Sequence, residues 1–193
     1  MAGRLYAYWV YGGVLAGIML LALMPLFAAG GWSVAFTSVF LLLPLYMLHQ
    51  YEEHDADRFR LWINRTIGGG AEVLTPAAVF VINIGAVWAL DVVVIYLAAR
   101  VDLGLGLIAA YLMLLNALIH IAGAIRGRSY NPGLITAIVL FLPASIGTIA
   151  AIDAAGAGSV RDHLIGIVVA IAAHGVIVAY AVRRRRALRL RPA

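Results

Sequence analysis

The chain has 193 residues, 64% of them hydrophobic and only 12% charged, with a mean hydropathy of +0.99. Soluble domains average about 45–50% apolar and about 25% charged residues, so the composition excludes an ordinary water-soluble fold and makes lipid the solvent. The formal net charge is +5, all 14 basic residues are arginine, and the absence of cysteine excludes disulfides and thiolate chemistry.

A bilayer crossing needs about 20 mostly apolar residues, and six stretches qualify. The first, 5–29, has only Arg4 before it. Its apolar run exceeds the roughly 7–15 residues of a secretion-signal core, so a retained helix is expected. Gly30-Gly31 separates it from the second, 32–49, which continues without a breaker into the polar segment 52–67. There Phe59, Trp62, Ile63 and Ile67 recur at helical spacing among Arg58, Arg60 and Arg65. That pattern suits a helix bent onto the membrane surface, with an ordered loop as the plainer alternative. Three glycines and Thr75-Pro76 precede the third span, 76–99, with Pro76 suited to a first helical turn. The fourth is 103–124. Asn131-Pro132-Gly133 opens the fifth, 133–152, and a small-residue linker leads to the sixth, 164–182, and a basic tail, 183–193. There is no internal repeat. The predicted fold is an all-α, polytopic membrane helical bundle of six transmembrane helices, forming one domain.

Six crossings put both termini on one side. Twelve arginines fall there (Arg4, Arg58, Arg60, Arg65, Arg126, Arg128 and six in the tail), against Arg100 and Arg161 opposite. Positive residues stay cytoplasmic, so both termini are expected inside, in the inner membrane of a bacterium. The tail reads as a topology anchor that also meets membrane lipids, which leaves no need for a nucleic-acid partner. Gly13-x-x-x-Gly17 and Gly123-x-x-x-Gly127 permit close helix approach and hence a homo-oligomer, on weak grounds.

Ionisable groups within a span are costly and call for a reason. By helix rise, His49, Asn83, Asn116, His120, Tyr130 and His174 fall within one layer of the inner leaflet. On a helix His49, Glu52 and Glu53 sit at i, i+3 and i+4, sharing one face. One imidazole with two carboxylates is a metal-ligand or acid–base set. His49 and Glu53 are expected to bind one divalent ion, zinc first and iron second, with His120 completing a three-ligand site that leaves a position open for water. Glu52 is expected as general base, Asn116 as the group positioning water or substrate, and Tyr130 as the stabiliser of developing charge. The plainer alternatives are a solvated helix end for His49, Glu52 and Glu53, interhelical hydrogen bonds for Asn116 and His120, and turn chemistry for Tyr130. His54 projects about 140° around the helix from His49, which reads as surface. Asp91 lies beyond the layer and reads as hydrogen-bonded within the bundle. His174 stands alone in the sixth span and His163 reads as an outer-surface residue.

His49-x-x-Glu52-Glu53, Asn116-x-x-x-His120 and Tyr130-x-Pro132-Gly133 occur in the order of the motifs of the HXXEE family of integral membrane proteins, which the chain resembles over roughly residues 32–152. The resemblance implies a multi-helix membrane protein suspected of enzymatic activity and strengthens the site more than any particular reaction. A looser similarity joins it to intramembrane CAAX-type proteases, which also use a Glu-Glu pair. Here the arginine after that pair, Arg58, comes one position late, and the Asn and His of the second motif are in reverse order. The expected function is a metal-dependent membrane hydrolase acting on a lipid or lipid-linked substrate at the cytoplasmic leaflet. A di-iron oxidase or desaturase, a proton-coupled transporter and a structural membrane subunit are the alternatives.

Overall fold

The computed structural model describes residues 2–190, all of whose regular structure is helical. Helix α1 is Ala2–Ala29 and α2 is Val34–His54, the latter begun by Ser33, whose hydroxyl accepts from the Phe36 amide at 3.1 Å. The short α3 is Arg58–Thr66. Four further long helices follow: α4 (Pro76–Arg100), α5 (Leu103–Gly127), α6 (Leu134–Ala154) and α7 (Val160–Arg189). All but α3 are long and apolar enough to cross a membrane, and the chain is an integral membrane protein.

Helix α7 starts four residues before the expected span. Ser159 and Asp162 form a reciprocal capping box that fixes its first turn. It then runs through the arginine tail to Arg189, with Arg191 outside the described residues.

Burial separates the crossings into two kinds. The apolar windows of α2 and α5 are each half buried, while those of α1 and α7 are only 11% buried. Helix α2 packs against α1, α4, α5 and α6, and α7 packs on α5. The main core joins Val39, Leu42 and Tyr46 of α2 to Leu107, Met113 and Ala117 of α5 and Phe141 and Ile152 of α6. The helix that carries the HxxEE sequence is therefore the axis of the bundle.

A second, smaller core closes the arginine-rich end. Ile63 of α3 meets Trp9 and Val10 of α1, Val73 and Leu74 of the connection, and Val79 of α4. This selects the helix over the loop for residues 58–66. The chain reaches α3 through a reversal in which Ala56 (φ 50°) and Asp57 (φ 62°) are both left-handed. Non-glycine residues there cost roughly 1–3 kcal/mol each and persist only where neighbours fix them. Asp55 accepts from Tyr11 Oη at 2.9 Å, and Arg60 binds Asp57 at 2.8 Å and Glu72 at 2.9 Å.

Two helices contain π-wound segments, Val81–Trp88 in α4 and Ala137–Phe141 in α6. Such segments are rare and frequent at functional sites. Asp91, one turn beyond the first, departs from expectation. It is 1% exposed, and neither carboxyl oxygen has a hydrogen-bond partner among the described residues. Its α4 face is turned into the apolar core that contains Val94 and Ala98, where sequence position alone promised a polar neighbour.

Candidate metal centre

The last turns of α2 present His49, Glu52 and Glu53 towards the arginine-rich ends of α5 and α6. His49 is 0% exposed, and Glu53 and His120 are each 6% exposed. Nε2 of His120 lies 3.4 Å from Glu53 Oε1, and Nε2 of His49 lies 3.7 Å from Glu53 Oε2. One ligand atom from each of the three falls within 4.8 Å of the others. The structure thus brings together the three residues that spacing nominated as ligands, with His120 more than 60 residues along the chain from Glu53.

Hydrogen bonds on the far side of each imidazole set its tautomer. The Thr136 hydroxyl donates its single proton to Glu52 Oε2 at 2.5 Å, so it accepts from His49 Nδ1 at 2.8 Å. Asn131 donates from Nδ2 to the His120 carbonyl at 2.9 Å, which turns its Oδ1 to accept from His120 Nδ1 at 2.7 Å. Both Nδ1 atoms carry a proton, and both Nε2 atoms face the Glu53 carboxylate. A neutral ring there points its Nε2 lone pair at an anion, and His49 Nε2 has no hydrogen-bond partner among the described residues. A proton on Nε2 or a cation between the rings and the carboxylate satisfies all three groups, and outer hydrogen bonds of this kind accompany metal-ligating histidines.

Gly133 leaves the room. It sits at φ +95°, and a Cβ built on it would lie 2.8 Å from both His49 Cε1 and His120 Cε1. The backbone thus comes against both rings where any side chain would wedge them. Asn131-Pro132-Gly133, whose composition suggests only a turn, supplies both an imidazole partner and this clearance.

Glu52 faces elsewhere. Its carboxylate accepts from Tyr130 Oη at 2.8 Å, from the Ile135 and Thr136 amides at 3.2 and 2.7 Å, and from the Thr136 hydroxyl. It sits at the amino end of α6, where a negative charge is favoured, and joins the centre through Thr136 and His49. Tyr130 lies in the turn between crossings. Partial burial and then its hydrogen bond to Glu52 push its phenol up, which keeps the donor protonated. Asn116 lies one helical turn from His120 with its Oδ1 unpartnered.

The expected layer of polar groups from five helices divides in two. Asn83 belongs to the opposite face of α2, where Gln50 donates to Asn83 Oδ1 at 2.8 Å and accepts from Trp88 Nε1 at 2.6 Å. His174 binds its own Ala170 carbonyl at 2.9 Å. His54 corrects the surface reading. It is 7% exposed, packs with its ring tilted 5.2 Å from that of Trp9, and brings Nε2 to 3.0 Å from Glu53 Oε2. The helical angle from His49 holds, but α1 and α3 cover the side it points to. Thr136, Asn131 and His54 are the site residues that sequence reasoning passed over.

A family model described as a protein of unknown function with HXXEE motif matches residues 40–148, more than half of the chain. The chain belongs to the HXXEE family. No curated protein and no solved structure matches it. The matched region runs from the middle of α2 into α6 and so contains every residue of the HXXEE centre described above, while α1 and α7 lie outside it.

Thr136→Val keeps the shape and removes the hydroxyl that orients His49. Metal affinity, read by competition with a chromophoric chelator, is expected to fall about 10–100-fold. Thr136→Ser is expected to retain it, and equal affinities for valine and wild type would dissociate Thr136 from the centre.

Proposed function

We propose that this protein is a metal-dependent membrane hydrolase acting on a lipid or lipid-linked substrate at the cytoplasmic leaflet. One observation carries the reading: two buried imidazoles, each held at Nδ1, turn Nε2 towards one buried carboxylate, with the three ligand atoms within 4.8 Å of one another. His49, Glu53 and His120 are the ligands, with zinc first and iron second as the ion. Three protein ligands with a remaining open position is the arrangement of catalytic rather than structural zinc. An ion there supplies Lewis acidity, polarising a carbonyl or phosphoryl oxygen and acidifying a water.

The rest falls to the chain. Hydrolysis adds water across the scissile bond, one fragment taking the hydroxyl and the other the proton. Glu52 is moved from the base role to an orienting one, because four donors already occupy its oxygens. Tyr130 acts through Glu52, and Asn116, with a free Oδ1, remains the candidate for positioning water or substrate. The single carboxylate in the ligand cluster disfavours the di-iron alternative, which recruits several. The inner-leaflet assignment rests on the arginines gathered at the end of the bundle that holds the centre.

The test is elemental analysis of the purified chain. About one equivalent of zinc or iron per chain is expected. A chain that purifies without metal and takes up neither ion on titration would end the hydrolase reading as written.

A further inference from the structure

Two spaces lie along α1, and one of them reaches His54 beside the centre. A cavity of about 500 Å³ lies between α1, the Ala56–Asp57 reversal and the first turn of α4, lined by Tyr6, Trp9, Tyr11, His54, Asp57 and Thr75. His54 is its link to the ligands, since the same ring meets Glu53 at 3.0 Å. A larger groove, about 870 Å³, runs between α1 and α4 and is lined by Arg4, Gly12, Gly13, Phe80, Ile84 and Trp88. Tyr8 and Trp9 line both. The Trp9 ring lies 5.2 Å from the His54 ring and 6.0 Å from that of Trp88, so it forms the partition between groove and cavity.

The groove has the chemistry of a hydrocarbon site. Its wall is nearly all carbon, and its one charged residue, Arg4, stands at the arginine-rich end of α1. From Arg4 to Gly12 is eight residues, about 12 Å along the helix. Gly12 borders this open space, since a Cβ there would meet no atom within 4 Å. Helix α1 is on the outside of the bundle, so the groove is reached from the bilayer. Arg4 at the headgroup level complements an anionic lipid.

We infer that this groove binds an acyl chain of an anionic phospholipid, whose headgroup meets Arg4 at the groove's end. The inference names the lipid class held beside the centre, and it rests on the hydrolase reading for its consequence. As a binding site it is tested separately.

The full chain is reconstituted in phosphatidylcholine vesicles containing phosphatidylglycerol with a photoreactive diazirine on its acyl chain. After irradiation, adducts on the peptides holding Gly12-Gly13 and Phe80–Trp88 are expected to exceed those on the exposed Val168, Val176 and Val178 of α7 by about tenfold. Gly12→Trp fills the groove and is expected to bring its labelling down to the α7 level, with Gly12→Leu as a second, smaller block. Both variants are expected to keep the wild-type metal content, which also reports that the bundle is folded. Groove labelling no greater than that of α7 in the wild-type chain, or unchanged in a folded Gly12→Trp, would overturn the inference. Groove labelling in a chain that holds no metal would sink the hydrolase reading and leave the lipid site standing.

Discussion

Gly133→Ala is expected to abolish ion binding at the proposed centre while leaving all three candidate ligands in the sequence. The added methyl would stand 2.8 Å from Cε1 of both His49 and His120, inside van der Waals contact. Neither ring can yield freely, because each is tied at Nδ1, to Thr136 at 2.8 Å and to Asn131 at 2.7 Å. The rings must rotate off their partners or the turn must open. Alanine at φ +95° also carries a backbone cost of roughly 1–2 kcal/mol. Loss of metal affinity of at least about 100-fold is expected, the upper end of what disturbing outer ligand partners costs. Thermal unfolding of the metal-free protein is expected to drop by the backbone cost plus the disturbed ring contacts while the transition stays cooperative, which separates wedging of the rings from general collapse. A Gly133→Ala chain that binds metal as wild type does would show that the rings do not frame an ion.

Removing a ligand gives the second large effect. His120→Ala takes away one Nε2 and leaves Glu53 Oε1 and Asn131 Oδ1 without that partner in a buried setting. Metal binding is expected to fall by more than about 100-fold, beyond the range of any outer-partner variant. His163→Ala is the matched control. That imidazole is held by Tyr111 at 2.8 Å and Asp153 at 3.0 Å, at the opposite end of the bundle, and its loss is expected to leave metal content unchanged. Measured on protein of equal dispersity, equal retention in the two variants would remove His120 from the ligand set.

The two expectations differ in how legible their causes are in sequence. Hydropathy marks six crossings because helix length and bilayer thickness are the same physics, and the six helices appear where the apolar runs do. His49, Glu53 and His120 are legible because i, i+4 spacing places two of them on one face and helix rise places the third at the same depth. Their neighbours are less so. Glu52 shares that face, yet its carboxylate is captured by the free amides at the start of α6, an arrangement decided by how two helix ends meet. Thr136 is a hydroxyl in an apolar run, and nothing in its sequence surroundings marks it as the link between Glu52 and His49. His54 reads as exposed because angular position tells which way a side chain points and not what lies there. Asp91 reads as partnered because burial without a partner is costly, and the fold bears that cost in its core.

The contacts of Gln50 bear on the centre from behind. One residue after His49, it is pinned by Asn83 and Trp88 of α4, while His49 is pinned by Thr136 of α6. Helix α2 is thus keyed on two sides at one level, like a shaft held by opposed pins. A twist of a single residue, about 100°, would shear both sets of bonds together. The ligand geometry should accordingly be set before any ion arrives, so that the choice among ions falls to how well each fits a rigid seat.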